Sequence, residues 1–312
     1  MNRKSLLIHG ALLFVSAVFG ANSVTAKIAL QEITPFALVT LRVVSAAVIL
    51  FVLHRLFVRE KIKSTTDFFR LAMYSVFGII INQILFLKGL SMTTPINATI
   101  LVTTIPVVTI LVAMLMGREK PSTRKLSGAL ISFAGVITLI GWGGIDFKDT
   151  YFVGNLLVFI NAVSFSIFLV LSKPILARYS PSTVTTWIFV FGSLGVLPVG
   201  WKELQNTDWV SISAIAWACV AFLILFSSVI VYYINNWALQ RTQSSTVAAY
   251  IYIQPLVASA FSTYALEEPI TARKIIASLL IFGGVILVSI RRKNAKPVDM
   301  DFVKESLILK ED

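Results

Sequence analysis

Two stretches otherwise suited to hydrocarbon carry amides and rings that can grip a polar solute: Asn82, Gln83 and Phe86 in INQILFLKGL, and Tyr232, Asn235 and Asn236 in VYYINNWALQ. Helical i, i+3 and i+4 spacing puts the first set on a shared face. Tyr250 and Gln254 add a hydroxyl and an amide in a further apolar run, while Asn22, Asn161 and Phe165 occupy two more. A buried amide needs a hydrogen-bond partner, so these side chains either tie helices together or line a hydrated pocket. The second use makes Asn82, Gln83, Phe86, Tyr232, Asn235, Asn236, Tyr250 and Gln254 candidates for binding a small-molecule substrate, with Asn22 beside them. Arg42 joins that set, because it falls near the middle of an apolar run where a guanidinium costs about 2.5 to 3.5 kcal/mol. With Lys27 and Lys88 it can face a watery vestibule and favour an anionic group such as a carboxylate. Alternatively it binds helix-end carbonyls while the lysines snorkel.

Other chemistries are excluded by what is missing. The fifteen acids lie outside the apolar runs or at their edges, leaving no buried carboxylate to relay protons, bind sodium or form a catalytic pair. His9 and His54 fall near the ends of the first two runs and read as headgroup-facing. Cys219 is the sole cysteine, so neither an intramolecular disulfide nor a cysteine-based metal cluster can form. A Gly-rich phosphate loop is absent. No catalytic residue, metal or cofactor is expected.

The elements that must position these groups are apolar throughout. Hydrophobic residues make up 57% of the 312 and charged residues 13%, with a mean hydropathy of +0.85; a soluble domain would carry about a quarter charged. The blocks approach the ~20 residues that cross ~30 Å of hydrocarbon. They predict an all-α integral membrane protein with ten spans, at 6–25, 34–53, 71–92, 95–116, 126–142, 152–172, 182–200, 211–238, 243–265 and 275–290. Arg3 and Lys4 ahead of the first run also resemble a secretory signal.

The net charge of +12 could suggest nucleic acid, but its distribution argues against that partner. Lys and Arg crowd the N-terminus, the loops after even-numbered spans, and the tail, whereas the opposite loops hold only Lys27, Lys148, Lys202, Arg273 and Lys274. The positive-inside rule then places both termini in the cytoplasm of a multi-pass cell-membrane protein, with Arg273 and Lys274 as exceptions.

RKLSGALISFAGVI at 124–137 and RKIIASLLIFGGVI at 273–286 agree at seven positions with a constant offset of 149, and Leu90/Leu239, Pro106/Pro255 and Glu119/Glu268 keep the register. Phe19/Phe165, Lys27/Lys173, Pro35/Pro181 and Thr40/Thr186 match at an offset of 146. Two halves of five spans follow, 1–147 and 148–292, with 293–312 a polar cytoplasmic tail. The internal counterpart of span one weakens the secretory reading. Five is odd, so the second half enters the membrane from the other face. Such inverted repeats put a pseudo-two-fold axis in the membrane plane and a solute site between the halves near the midplane.

Each half resembles the EamA-type module of the drug/metabolite transporter superfamily. The stretches that carry this are PINATILVTTIPVVTILVAMLMGREKPSTRKLSGALISFAGVITLI and SSTVAAYIYIQPLVASAFSTYALEEPITARKIIASLLIFGGVILVS. The family's central proline falls on Pro106 and Pro255, its helix-end glutamate on Glu119 and Glu268, and its two glycines on Gly128 and Gly135 and, with Ala277 replacing the first, on Gly284. The resemblance implies ten helices, paired halves and the export or exchange of small metabolites, with spans three, four, eight and nine forming the core.

The expectation is therefore a secondary carrier for a small organic metabolite, an amino acid or related carboxylate, acting by alternating access in a lipid bilayer as a monomer or homodimer. Pro106 and Pro255 remove backbone hydrogen bonds at equivalent midpoints and serve either as structural kinks or as gating hinges. A lipid-modifying membrane enzyme and a non-transporting sensor or assembly subunit are the competing classes.

Overall fold

The computed structural model describes residues 3–118, 122–140, 149–242, 247–248 and 250–289. The expected tail, Glu119, and the glycines at 141 and 144 lie outside them. Among the described residues there is no strand, and the helices group into ten rods: α1 (Arg3–Ala29), α2 (Pro35–Leu53, extended by His54–Val58), α3 (Thr65–Met92), α4 (Pro95–Leu115), α5 (Thr123–Ile140), α6 (Thr150–Arg178), α7 (Pro181–Asn206), α8 (Ala214–Arg241), α9 (Tyr250–Ile253 continued by Gln254–Leu266) and α10 (Ala272–Ser289). Seven of these, α1 to α4 and α6 to α8, are long and apolar enough to cross a membrane. The other three are shorter or less apolar: α5 and α10 each open with an Arg-Lys pair, and the α-helical part of α9 has 13 residues. Several rods outrun the spans read from hydropathy, because a helix continues through the polar residues at which an apolar block stops.

Helix starts are written locally. Ser64, Thr94, Asp149, Ser180 and Ser213 each accept a backbone N–H from the first turn that follows, and Pro35, Pro95 and Pro181 occupy first helical positions. Charged residues at the rims then cap helix ends from other elements. Glu203 accepts from the N–H groups of Phe36 and Ala37 at the start of α2, and Glu60 from Ser180 ahead of α7. Glu32 accepts from Ser213 ahead of α8, and Glu268 from Ile96 at the start of α4. Carboxylates there complement the positive end of the helix dipole.

Pairs of equivalent contacts establish how the halves are arranged. Thr40 donates to the Val196 carbonyl and its counterpart Thr186 to the Leu50 carbonyl, so α2 and α7 run antiparallel. On α5 and α10, Gly135 faces Ala277 and Ile281, while Gly284 faces Gly128 and Ser132; the Ser132 hydroxyl donates to the Ile281 carbonyl, its own equivalent. As one residue number rises the other falls. Corresponding helices that pack antiparallel across a two-fold axis require the two halves to point in opposite directions, which is the inverted arrangement. The first helix of each half crosses into the other: α1 packs on α8 and α9, and α6 on α3 and α4.

Close approach is where small residues are needed. A Cβ at Gly284 would lie 2.4 Å from the Gly128 carbonyl oxygen, and one at Gly135 would lie 2.8 Å from that of Ala277. Gly192 and Gly195 seat α7 against Ile79 and Ile80 of α3, whereas Gly283 faces open space.

Candidate functional site

The two third helices share an irregularity that sets up the site. Both α3 and α8 widen to π-type bonding, at Val76–Ile80 and Leu223–Ile230, just before Asn82 and Gln83 in one half and Tyr232 in the other. Such widening re-aims the residues that follow it. Gln83 Nε2 donates to the Tyr232 hydroxyl at 2.8 Å, a bond between residues 149 apart and hence on the pseudo-two-fold axis. The Tyr232 hydroxyl in turn lies 3.2 Å from Asn82 Oδ1, and Asn161 Nδ2 donates to the Asn82 backbone carbonyl at 2.7 Å. The Tyr232 ring is held edge-on between Phe19, Phe165 and Phe189.

Around this cluster lies a cavity of about 760 Å³ of empty space, counted out to its open mouth, lined from both halves by α1, α2, α3, α4, α6, α8 and α9. Of the residues put forward from the sequence, Asn22, Arg42, Asn82, Gln83, Phe86, Tyr232, Asn235 and Gln254 all line it. Asn236 does not: it is fully buried, with its amide nitrogen donating to Thr185 at 2.8 Å, so it ties α8 to α7. Tyr250 also falls outside the lining, its hydroxyl 2.5 Å from His9 Nδ1, which joins α9 to α1. Helical spacing alone cannot say which flank of an amide-bearing helix meets the cavity and which meets a neighbour.

Arg42 is 1% exposed. Its Nε donates to Ser228 Oγ at 2.7 Å, Ser228 Oγ donates to the Leu223 carbonyl at 2.9 Å, and Nη1 is buried without a partner. The alternative of helix-end carbonyls belongs instead to the lysines. Lys27 Nζ donates to the carbonyls of Leu90, Ser91 and Thr93 at the end of α3, and Lys173 repeats this on Leu239 and Thr242 at the end of α8. Lys88 lies 5.8 Å over the Phe36 ring, and neither it nor Lys27 lines the cavity. His54 is buried in protein with Nε2 3.0 Å from Thr183 Oγ1, not turned to headgroups.

Pro106 and Pro255 mark breaks rather than gentle kinks. The helix of α4 is interrupted at Thr103–Thr104, and α9 changes from 3-10 to α geometry at Ile253–Gln254, one residue before Pro255. Each proline deprives the carbonyl four residues earlier of its donor. Those carbonyls belong to Val102 and Ile251, equivalent residues that both line the cavity. The sequence reading missed Ser16, Phe19 and Thr99 among the lining residues; small hydroxyls and rings are so common in apolar helices that nothing in their spacing singled them out. Among the described residues no group of His, Cys, Asp and Glu could hold a metal ion.

The model of the EamA-like transporter family matches residues 7–141 and 152–290, once per half. An uncharacterized transporter of Archaeoglobus fulgidus is 26% identical over 295 residues, covering 94% of this chain and 99% of its own length. The uncharacterized transporter YetK of Bacillus subtilis is 26% identical over 93% of this chain and 89% of its own, and a WAT1-related protein of Arabidopsis thaliana is 27% identical over 73% and 69%. One crystal structure superposes with a TM-score of 0.64 at 19% identity, covering 92% of this chain and 98% of that one, a likeness of fold.

Proposed function

Because the chain belongs to the EamA-like transporter family, we propose that it is a secondary carrier moving a small organic metabolite, an amino acid or related carboxylate, across the cell membrane by alternating access. The observation that supports this best is the cavity between two antiparallel halves, walled by both and lined by the Gln83–Tyr232 pair that bonds across the axis. A solute held there is equidistant from two equivalent exits, so rocking one half against the other opens either side without moving the site.

Each residue has a role in this reading. Asn22, Asn82, Asn235 and Gln254 present amides, while Phe86 and Tyr232 supply apolar walls. The breaks at Pro106 and Pro255 lack the hydrogen bond that resists bending, which makes them the gating positions. The charge asymmetry of the loops supports a cytoplasmic location for both termini. The absence of a carboxylate among the described residues of the cavity lining favours a passive facilitator or exchanger over a proton pump.

The test is flux. Purified protein in proteoliposomes is expected to equilibrate at least one member of a metabolite panel faster than protein-free vesicles, with no nucleotide present. If every solute behaves as in empty vesicles while a partner protein co-purifies stably, the carrier reading is wrong and an assembly role takes its place.

A further inference from the structure

We propose that Arg42 binds the carboxylate of the transported solute and, being a fixed charge with no counter-ion of its own, makes the carrier an obligate exchanger of small carboxylates. This rests on the transport reading above and adds to it the residue that holds the carboxylate and the coupling that follows from it. Three observations carry it. The guanidinium is 1% exposed at the cavity wall, oriented through Nε by Ser228, and leaves Nη1 buried without a partner. Among the described residues no ion pair joins it to an acid: Asp67 pairs with Arg70 and Arg178, Glu268 with Lys274, and Glu60, Glu203 and Glu268 cap helix starts. Its counterpart in the second half is the fully buried Ile188, so the charge is no part of the repeated scaffold. Asn22 Oδ1 adds a second buried, unpartnered atom on the same cavity, an acceptor suited to an ammonium or hydroxyl on the same solute.

The physics gives the coupling. Arginine stays protonated at any physiological pH, and an uncompensated charge away from water is strongly unfavourable. A carboxylate can satisfy the guanidinium with charge-assisted hydrogen bonds. The loaded carrier therefore crosses its closed intermediate as a neutral pair, whereas the empty carrier must close around a bare cation. Return is slow unless another carboxylate occupies the site. Exchange of this kind needs no proton, and among the described residues of the lining there is no histidine or carboxylate to carry one.

The decisive measurement uses full-length protein in proteoliposomes with panels of anionic, zwitterionic, neutral and cationic metabolites. Uptake is expected only for solutes bearing a carboxylate, and a carboxylate loaded on the opposite side should accelerate it at least about tenfold. Arg42→Gln should abolish carboxylate binding while leaving the melting temperature of the empty protein equal or higher, because a bare charge has been removed. Arg42→Lys should retain weakened binding. A purely structural arginine would instead lower the melting temperature in both variants. Should Arg42→Gln not fold, Ser228→Ala, which frees Nε, is expected to weaken carboxylate binding in a folded protein. The inference fails, with the carrier reading intact, if neutral or cationic solutes without a carboxylate move independently of Arg42, or if carboxylates enter an anion-free lumen as fast as a loaded one. Absence of flux for every class overturns the carrier reading and this inference with it.

Discussion

Lys27 and Lys173 bind the same target in their respective halves, the carbonyl end of a third helix, whereas Gln83 and its counterpart Tyr232 differ in kind and bond to each other. The same division runs through the molecule. Thr40 and Thr186, and the α5–α10 seam around Gly135 and Gly284, keep one chemistry twice and hold the halves at a fixed antiparallel angle. Around the cavity the partners diverge: Phe86 corresponds to Asn235, Gln254 to Ile105, and Arg42 to Ile188. A two-fold scaffold needs equal ends so that both openings are comparable in energy. A solute is not two-fold symmetric, so in the carrier proposed above its walls need not be, and selectivity is expected from the places where the repeat is broken.

The largest expected effect attacks the scaffold. Gly284→Leu should destabilise the protein by about 3 kcal/mol in detergent unfolding, because the added atoms meet backbone at 2.4 to 2.6 Å, whereas Gly283→Leu, facing open space, should change it by less than about 0.5 kcal/mol. Comparable losses from both would mean that the α5–α10 seam is not a close backbone contact. Lys27→Met and Lys173→Met should each cost about 2 kcal/mol through lost charge-assisted bonds; a strongly unequal pair would break the equivalence of the two ends. In the cavity, Gln83→Leu should weaken solute binding about tenfold while leaving the melting temperature nearly unchanged, since Tyr232 keeps Asn82 as acceptor.

Two smaller effects sharpen the comparison at the rims. Burial pushes the Glu60 carboxyl up, but hydrogen bonds from Thr183 and Ser180 and the nearby His54 outweigh it and hold the group below its usual value. A carboxyl depressed in the folded state stabilises above its unfolded pKa of about 4.3 and loses that contribution as pH falls through the folded one. Melting curves across that acid window should flatten in Glu60→Gln. Finally, α4 ends on Gly117 with φ 69°, whereas α9 ends on Glu267 with φ 52°, a left-handed conformation that strains a side chain. Glu267→Gly should raise stability by about 0.5 to 1 kcal/mol, and no gain would mean that the strain is relieved elsewhere.

Much of the fold was legible because hydrophobic length and internal identity are one-dimensional signals. The apolar blocks give the rods, the offsets of 146 and 149 give the halves, and an odd number of spans gives their inversion. Helix ends were less legible, since α3 begins at Thr65 and α6 reaches Arg178 through polar residues stabilised by caps from distant loops. The site was half legible. A polar group in an apolar run announces that it needs a partner, yet it does not say whether the partner is a helix or a solute: Asn236 found Thr185, Tyr250 found His9, and Lys27 found carbonyls, while Asn82 and Gln83 reached the cavity.

By itself the sequence determined that this chain lives in a bilayer as two oppositely directed copies, because water will not hydrate that much hydrocarbon and each copy reads as an odd number of apolar blocks. Only the tertiary structure decided which polar side chains remain unsatisfied. That depends on how α3 and α8 widen before the axis and on which neighbours fill each amide, and it left Arg42 Nη1 and Asn22 Oδ1 without a partner on the wall of one cavity.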